Sequence, residues 1–414
     1  MKCDVLVVGA GPAGSSAARA AAEAGAKTIF IDKKKEIGVP VQCAECIGKY
    51  LFPYLPFKIP KEQLIWKLDG VSFWADDITI ERTGGIWSSY SINRKKFDKW
   101  LANNAVNAGA ELLMNTELID LDVRDEYNVT KATIKTPEGE RQIEPKVVIA
   151  ADGVDSTVLK LLGFIIDKEI KCGEVLGFEM KNLRLIKPNY GHIFLGNFAP
   201  GAYAYIFPKS ESTANIGVAS LFQNKKLENC FEEFLEKTEV RKQVKNAIIV
   251  EEKSGWSPFR YITDKWVYGN VLLVGDTANQ NFKPFVEGYL PAIICGDIAG
   301  KTASGFIITE KSLNNYPKHV KNKLSGFFAE SDLLIDLAYD LTKLNEKDNL
   351  LRLAFSANIF PLKQMQKLKT EDYAILKRRV DDWNRSKIKQ FSMTISEKIT
   401  LIYHILLSKA HIYL

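Results

Sequence analysis

The chain has 414 residues, 46% hydrophobic and 26% charged, with 56 basic against 50 acidic side chains. This is the composition of a globular protein with a sizeable core. The net charge of +6 is spread along the chain without a basic block interleaved with aromatics, which excludes a nucleic-acid footprint. Six cysteines in 414 residues do not make a disulfide scaffold, and only four histidines with a single CxxC pair exclude a zinc site of ordinary spacing. No leader with a cleavage site precedes the first apolar run, and no uncharged apolar run is long enough to span a membrane. The expectation is a cytoplasmic protein, with weak attraction to an anionic lipid surface left open.

In chain order, residues 3–8 read as a short, Val-rich buried parallel strand. Gly9 to Gly14 is a tight turn, Ser15 to Ala24 an Ala-rich helix ending at Gly25, and Thr28 to Ile31 the next strand. Residues 36–60 are irregular and Pro-rich, and 68–93 alternates like strands of a second sheet. Phe97 to Ala108 is helical, and Glu111–Leu121, Val129–Thr136 and Gln142–Ala151 are strands. Several strands follow in 173–222, then a buried parallel strand at Val271–Val274 and an apolar helix from Gly288 to Gly305. From 311 to 414 Gly and Pro become rare and the period is helical. A stripe of Ile395, Ile399, Ile402 and Leu406 suits either a membrane surface or a core or dimer contact.

The fold class is therefore α/β: a Rossmann-like nucleotide domain with an inserted mixed or antiparallel β-sheet domain and a helical C-terminal region. The expected boundaries are 1–60, 94–165 and 265–310 for the first, 61–93 and 166–264 for the second, and 311–414 for the third.

Gly9-Ala10-Gly11-Pro12-Ala13-Gly14 is G-x-G-x-x-G directly after a strand and opening a helix. Gly9 permits the tight turn, Gly11 lets backbone approach a pyrophosphate on the helix N-terminus, and Gly14 allows close helix–strand packing. Asp32 ends the second strand, about 20 residues on, where a carboxylate binds ribose hydroxyls. Lys33, with Lys34 and Lys35, either neutralises adenosine phosphates or is simply solvated.

Three further segments discriminate between dinucleotides. Arg94-Lys95-Lys96-Phe97-Asp98 precedes a helix, and Ala151-Asp152-Gly153-Val154-Asp155-Ser156 and Val274-Gly275-Asp276-Thr277-Ala278 each follow a strand. In this order they resemble the R-x-x-F-D, A-D-G-x-x-S and G-D-A segments of the p-hydroxybenzoate-hydroxylase-like flavoproteins, over roughly residues 1–310 and with Thr277 in place of an alanine. The resemblance implies FAD. It implies Asp276 at the ribityl chain, Arg94 near the pyrophosphate or ribityl region, and Asp152-Gly153 supporting the dinucleotide and its helix.

Pro200-Gly201-Ala202-Tyr203-Ala204-Tyr205-Ile206-Phe207-Pro208 resembles the P-x-x-Y-x-W-x-F-P segment of geranylgeranyl reductases, with Tyr205 replacing Trp. As a strand it puts Tyr203, Tyr205 and Phe207 on one face, an aromatic wall suited to a long hydrocarbon or, equally, a core strand. Ile37-Gly38-Val39-Pro40-Val41-Gln42-Cys43-Ala44 is similar to the same family, which implies Cys43 and Ala44 near the flavin ring, with a redox or proton-donating role for Cys43. A Cys43–Cys46 or Cys43–Cys295 disulfide and buried free thiols are the alternatives.

The chain departs from that family at Pro284-Phe285-Val286-Glu287-Gly288, where only Gly288 remains of a glycine run beside the ring. Glu287 is then either an acid/base group or a solvent-facing loop residue. The implied activity is FAD-dependent reduction of prenyl carbon–carbon double bonds in a lipid or quinone, with Cys43, Glu287, Tyr203 and Tyr205 at the reaction. Electrons would come from NAD(P)H or a ferredoxin-like partner, with peripheral membrane contact. The competing readings are an aromatic monooxygenase and a flavoprotein of altered activity.

Overall fold

The computed structural model describes residues 1–75, 78–222, 225–260, 262–282 and 285–324. The elements in chain order begin β1 (Lys2–Val8), α1 (Pro12–Glu23), β2 (Thr28–Asp32), β3 (Cys46–Gly48), β4 (Leu64–Leu68), β5 (Gly70–Ala75), β6 (Ile78–Thr83), β7 (Ser89–Ile92) and α2 (Arg94–Asn107). Then come β8 (Glu111–Met114), β9 (Glu117–Arg124), β10 (Asn128–Thr136), β11 (Gly139–Ala150), α3 (Thr157–Leu161), α4 (Lys168–Lys171), β12 (Cys172–Lys181), β13 (Tyr190–Leu195), β14 (Ala204–Pro208) and β15 (Thr213–Ser220). The rest are α5 (Leu227–Leu235), α6 (Thr238–Val244), β16 (Ile248–Glu252), β17 (Gly255–Pro258), β18 (Val267–Tyr268), β19 (Val271–Leu273) and α7 (Tyr289–Thr309).

The first sheet runs β18-β19-β11-β1-β2-β8, with β10 and β9 continuing from β11 as an antiparallel arm. Its centre is parallel: β1 lies between β2 and β11, and β11 takes β19 on its other side. Strands covered on both faces must be apolar throughout, and Val5 to Val8, Ile29 to Ile31 and Val147 to Ala150 are all buried. The second sheet runs β16-β12-β15-β14-β13-β5-β6, with β17 also on β12. A small third sheet, β3-β7-β4, stands between chain segments that otherwise feed the other two.

α1 is rich in alanine because α7 lies almost against its backbone. A methyl group at Gly296 would stand 2.2 Å from the Ala13 carbonyl oxygen, and one at Gly300 2.2 Å from that of Ala17. The buried pair Arg19 Nη2–Asp297 Oδ1, at 2.7 Å, locks the two helices in register. α7 is by hydropathy long enough to cross a membrane, which the sequence reading did not anticipate, but 67% of its apolar window is buried inside the fold.

Three local expectations shift. The first helix starts at Pro12 rather than Ser15, since Pro at the first turn loses no hydrogen bond. Arg94–Asp98 does not precede the second helix but forms its first turn, capped by the Asn93 side chain accepting from Lys96 N at 3.0 Å. The expected strand Glu111–Leu121 is two strands parted at Asn115, whose φ of 50° turns the chain from pairing with β2 to pairing with β10. Of the expected helical stretch 311–414, residues 315–324 are helical and the remainder, with the stripe at 395–406, lies outside the described residues.

Candidate active site

The glycine turn is a cradle made of backbone. Gly9 has φ of 98°, and a methyl group there would stand 2.3 Å from the Ala151 carbonyl oxygen. A methyl at Gly14 would stand 1.8 Å from the Gly9 carbonyl oxygen, so neither position admits a side chain. Gly11 is the opposite case: a methyl there meets nothing within 4 Å. As N-cap of α1 it supplies no capping side chain, and Pro12 and Ala13 follow, so the helix opens onto free space with its N–H groups unclaimed by a cap.

α7 repeats the arrangement. Gly288 is its N-cap, again without a side-chain cap. Gly275, with φ of 69°, stands between the first turns of both helices: a methyl on it would lie 3.0 Å from the Ala13 Cβ and 3.7 Å from the Ala292 Cβ. The Asp276 carboxylate points at Gly288, with Oδ1 3.4 Å from where a methyl there would sit. Two uncapped helix N-termini meeting at glycines suit the pyrophosphate of a dinucleotide, and Asp276 beside them suits the hydroxyls of its linker.

The Asp32 carboxylate accepts from Ala10 N and Lys34 N, both at 2.9 Å, which holds it at the lip of the cradle. Lys33 is exposed. Asp152 accepts from Ser156 Oγ at 2.7 Å and Val158 N at 3.1 Å, so it braces the turn into α3. Gly153 explains the departure at Thr277. Its N–H donates to the threonine hydroxyl, and that hydroxyl donates to the Gly153 carbonyl, each at 3.0 Å, tying two cradle segments together as alanine cannot.

The aromatic strand packs into an apolar cluster of its own. Tyr205 and Phe207 stack with centroids 4.9 Å apart, and Tyr203 meets Tyr205 edge-on at 6.4 Å. Methyl groups at Gly177 or Gly217 would stand 2.5 or 2.4 Å from the Tyr205 hydroxyl, so these glycines, on the adjacent strand β15 and on β12 beyond it, make its room. Ala44, Cys46 and Phe285 lie on the same face, and Tyr205 and Phe207 are only 3% and 9% exposed. The Tyr203 hydroxyl donates to the Phe285 carbonyl at 2.7 Å.

Glu287 does not face solvent. It turns inward, with Oε1 accepting from Gly48 N at 2.7 Å and Oε2 from the Tyr50 hydroxyl at 2.8 Å. Burial raises its carboxyl above the ordinary range, against the lowering effect of those two hydrogen bonds. Reciprocal backbone bonds between Phe282 and Glu287 close the loop that presents it.

All six cysteines are free, so neither expected disulfide forms. Cys46 lies in β3 with its thiol on Ser89 Oγ at 3.4 Å, and burial pushes it up to about 12. Cys295 is buried within α7. Cys43 accepts from Glu45 N at 3.2 Å. Arg94 does not stand free for a phosphate. Its guanidinium grips Asp98 at 2.9 and 2.8 Å and lies 4.3 Å over the Tyr289 ring, whose hydroxyl also donates to Asp98 at 2.8 Å. Burial works against the arginine's charge, and Asp98 more than offsets it.

The comparisons agree with this geometry. Models of an FAD binding domain match residues 4–48 and 71–282. A digeranylgeranylglycerophospholipid reductase from Methanococcus aeolicus is 34% identical over 357 residues, 83% of this chain and 88% of its own length. That from Methanocaldococcus jannaschii is 37% identical over 337 residues, 77% of this chain and 82% of its own length. The chain belongs to the geranylgeranyl reductase family of FAD-dependent oxidoreductases. A solved geranylgeranyl bacteriochlorophyll reductase-like protein from Thermoplasma acidophilum has the same fold, with a TM-score of 0.76 at 26% identity over 92% of this chain and 99% of that one.

Several residues of the site carry no sequence signal. Tyr50 and Tyr289 come to Glu287 and to the Arg94–Asp98 pair from segments far along the chain. Glu45, Lys209, Asn215 and Lys253 meet only in the tertiary structure, although Glu45 does fall inside the CxxC that sequence reading singled out.

Proposed function

We propose that this chain uses FAD to saturate carbon–carbon double bonds of the geranylgeranyl chains of a glycerophospholipid, the substrate class named for its relatives. Bound and reduced, the flavin supplies hydride to one alkene carbon, while a proton must reach the other. The carrying observation is the joint placement of Tyr203, Tyr205, Phe207, Ala44 and Cys46 on one apolar face beside the loop of Phe285 and Glu287. Such a face offers a polyisoprenoid broad contact without demanding polar groups from it, and it keeps water from the reacting carbons.

Cys43 and Glu287 are the groups we assign to the proton. Glu287 is the better suited, because burial favours its protonated form and the Tyr50 hydroxyl is in place to exchange a proton with it. Phe285 covers the wall, so a chain entering there must move it and break the Tyr203–Phe285 bond. We place the enzyme in the cytoplasm, reaching its lipid as a peripheral visitor to the membrane and taking electrons from NAD(P)H or a ferredoxin-like protein.

The test is mass spectrometry of digeranylgeranylglycerophospholipid incubated with the dithionite-reduced, FAD-loaded protein. A gain of two hydrogens per bond is expected, and unchanged mass would overturn the reading. Running the same protein aerobically with each electron donor and an aromatic acid distinguishes the monooxygenase, which would consume oxygen in step with the aromatic.

A further inference from the structure

Glu45 has no part in the chemistry assigned above, yet four donors from separate parts of the chain converge on its carboxylate. Oε2 accepts from Lys209 Nζ at 2.6 Å, from Asn215 Nδ2 at 3.1 Å and from Lys253 Nζ, while Oε1 accepts from the backbone N of Arg94 at 2.7 Å. Lys209 follows β14, Asn215 lies in β15, Lys253 stands between β16 and β17, and Arg94 opens α2. Glu45 is 1% exposed, and Lys209 and Lys253 are 8% and 2% exposed. Both lysines also reach Glu179, at 2.6 and 2.9 Å, which balances the second positive charge.

Buried ions tolerate little displacement, because each loses its compensation as the pair separates. The constellation therefore fixes the Glu45 side chain at one point. The backbone is fixed with it: the Glu45 carbonyl accepts from Ile92 N at 2.9 Å, and the Ala44 carbonyl accepts from Asn215 Nδ2 at 2.8 Å. Glu45 is held at φ of 58°, in the left-handed region that is uncommon for residues other than glycine. That turn aims the Glu45 N–H back at Cys43 Sγ, 3.2 Å away.

We propose that Glu45 is a positioning residue: its buried cluster with Lys209 and Lys253 holds the Cys43–Cys46 turn in its left-handed form and so sets where the Cys43 sulfur stands. The inference rests on the reading of Cys43 as a residue of the active site. Lys209 directly follows Phe207 and Pro208, so the same cluster ties the aromatic wall to the cysteine turn and keeps the two in register. Well-packed apolar residues stabilise a core as well as a buried ion pair does. What the ions add is a defined position for the turn.

The experiment follows alkylation of Cys43 by iodoacetamide, read by peptide mass spectrometry on the FAD-loaded protein, together with the visible flavin spectrum. The variants are Glu45→Gln, Glu45→Asp and the charge-balanced Glu45→Gln/Lys253→Met, which leaves no buried lysine without an acid. In Glu45→Gln and the double variant the alkylation rate should change about tenfold or more, the flavin bands should shift, and kcat should fall roughly 10- to 100-fold with KM within about a factor of two. Glu45→Asp should recover part of each. If the single variant does not fold, the double variant and Glu45→Asp carry the same readouts. A folded double variant with the wild-type alkylation rate and flavin spectrum overturns the proposal. Cys43→Ser separates the two readings: full activity in that variant rejects Cys43 as an active-site group, while the flavin spectrum and the alkylation rates of the Glu45 variants still decide whether Glu45 positions the turn.

Discussion

At Gly9 and Gly14 the chain meets its neighbours with no side chain at all, whereas between Cys43 and Cys46 it is held by one carboxylate that four donors reach. The first region is shaped by exclusion: backbone passes so close to backbone at Gly9 and Gly14 that only glycine fits, while the space beyond Gly11 is left open. The second is shaped by attraction between buried charges drawn from distant parts of the chain. A site of the first kind fails when an atom is added, and one of the second kind fails when an atom or a charge is removed.

Adding atoms gives the largest expected effect. Gly14→Ala forces a methyl into the Gly9 carbonyl and should cost on the order of 3 kcal/mol in urea unfolding, with loss of bound flavin. Gly11→Ala is the sharper half of the pair. Its methyl touches no protein atom within 4 Å, so the stability of the flavin-free protein should stay within about 0.5 kcal/mol while flavin bound per chain drops steeply. Undiminished flavin content in Gly11→Ala would show that the space beyond Gly11 is not a ligand site.

Removing charge comes next, through pH. Burial alone would raise the Glu45 carboxyl, but Lys209 and Lys253 overcome it and hold it at about 2, below its ordinary 4.5. A depressed carboxyl contributes stability that is present above pH 4.5 and lost as pH falls toward about 2. That limb should be on the order of 3 kcal/mol in denaturant unfolding across this range, and correspondingly shallower in Glu45→Gln/Lys253→Met. An identical acid limb in the two proteins would mean that the cluster is not charged as described.

Glu287→Gln keeps the size of the side chain and removes its proton. If Glu287 serves the reaction, kcat should fall about 100-fold with flavin content unchanged, and steady-state turnover with a prenyl lipid decides it. Full turnover would leave Glu287 as an anchor for the Gly48 and Tyr50 contacts alone. The smallest effect belongs to Tyr203→Phe, which loses the single bond to the Phe285 carbonyl. Thermal unfolding should show a loss of about 1 kcal/mol, with KM for the lipid falling because Phe285 is freed to move.

The cradle was legible because its constraint is local. Gly9, Gly11 and Gly14 are required by the backbone of one turn, so their spacing survives as a pattern in the chain, and Asp32 lies one strand further on. The G-D-T and A-D-G segments were legible for the same reason, although the bond that makes Thr277 a sensible replacement for alanine appears only when Gly153 is brought beside it. The period of two at Tyr203, Tyr205 and Phe207 correctly predicted a shared face, since alternation follows directly from strand geometry. It did not show that Phe285 covers that face.

By itself, then, the sequence determined the α/β class, the strand–turn–helix that receives a dinucleotide and the aromatic face of β14. Each depends on residues a few positions apart, where chain geometry dictates which atoms meet. Only the tertiary structure decided that Glu287 turns inward to Gly48 and Tyr50, that Tyr289 is brought against the Arg94–Asp98 pair, that no cysteine is paired, and that Glu45 joins Lys209, Asn215 and Lys253. Those contacts span tens to hundreds of residues, and ion pairing sets no spacing along a chain. It requires only that opposite charges excluded from water end up side by side.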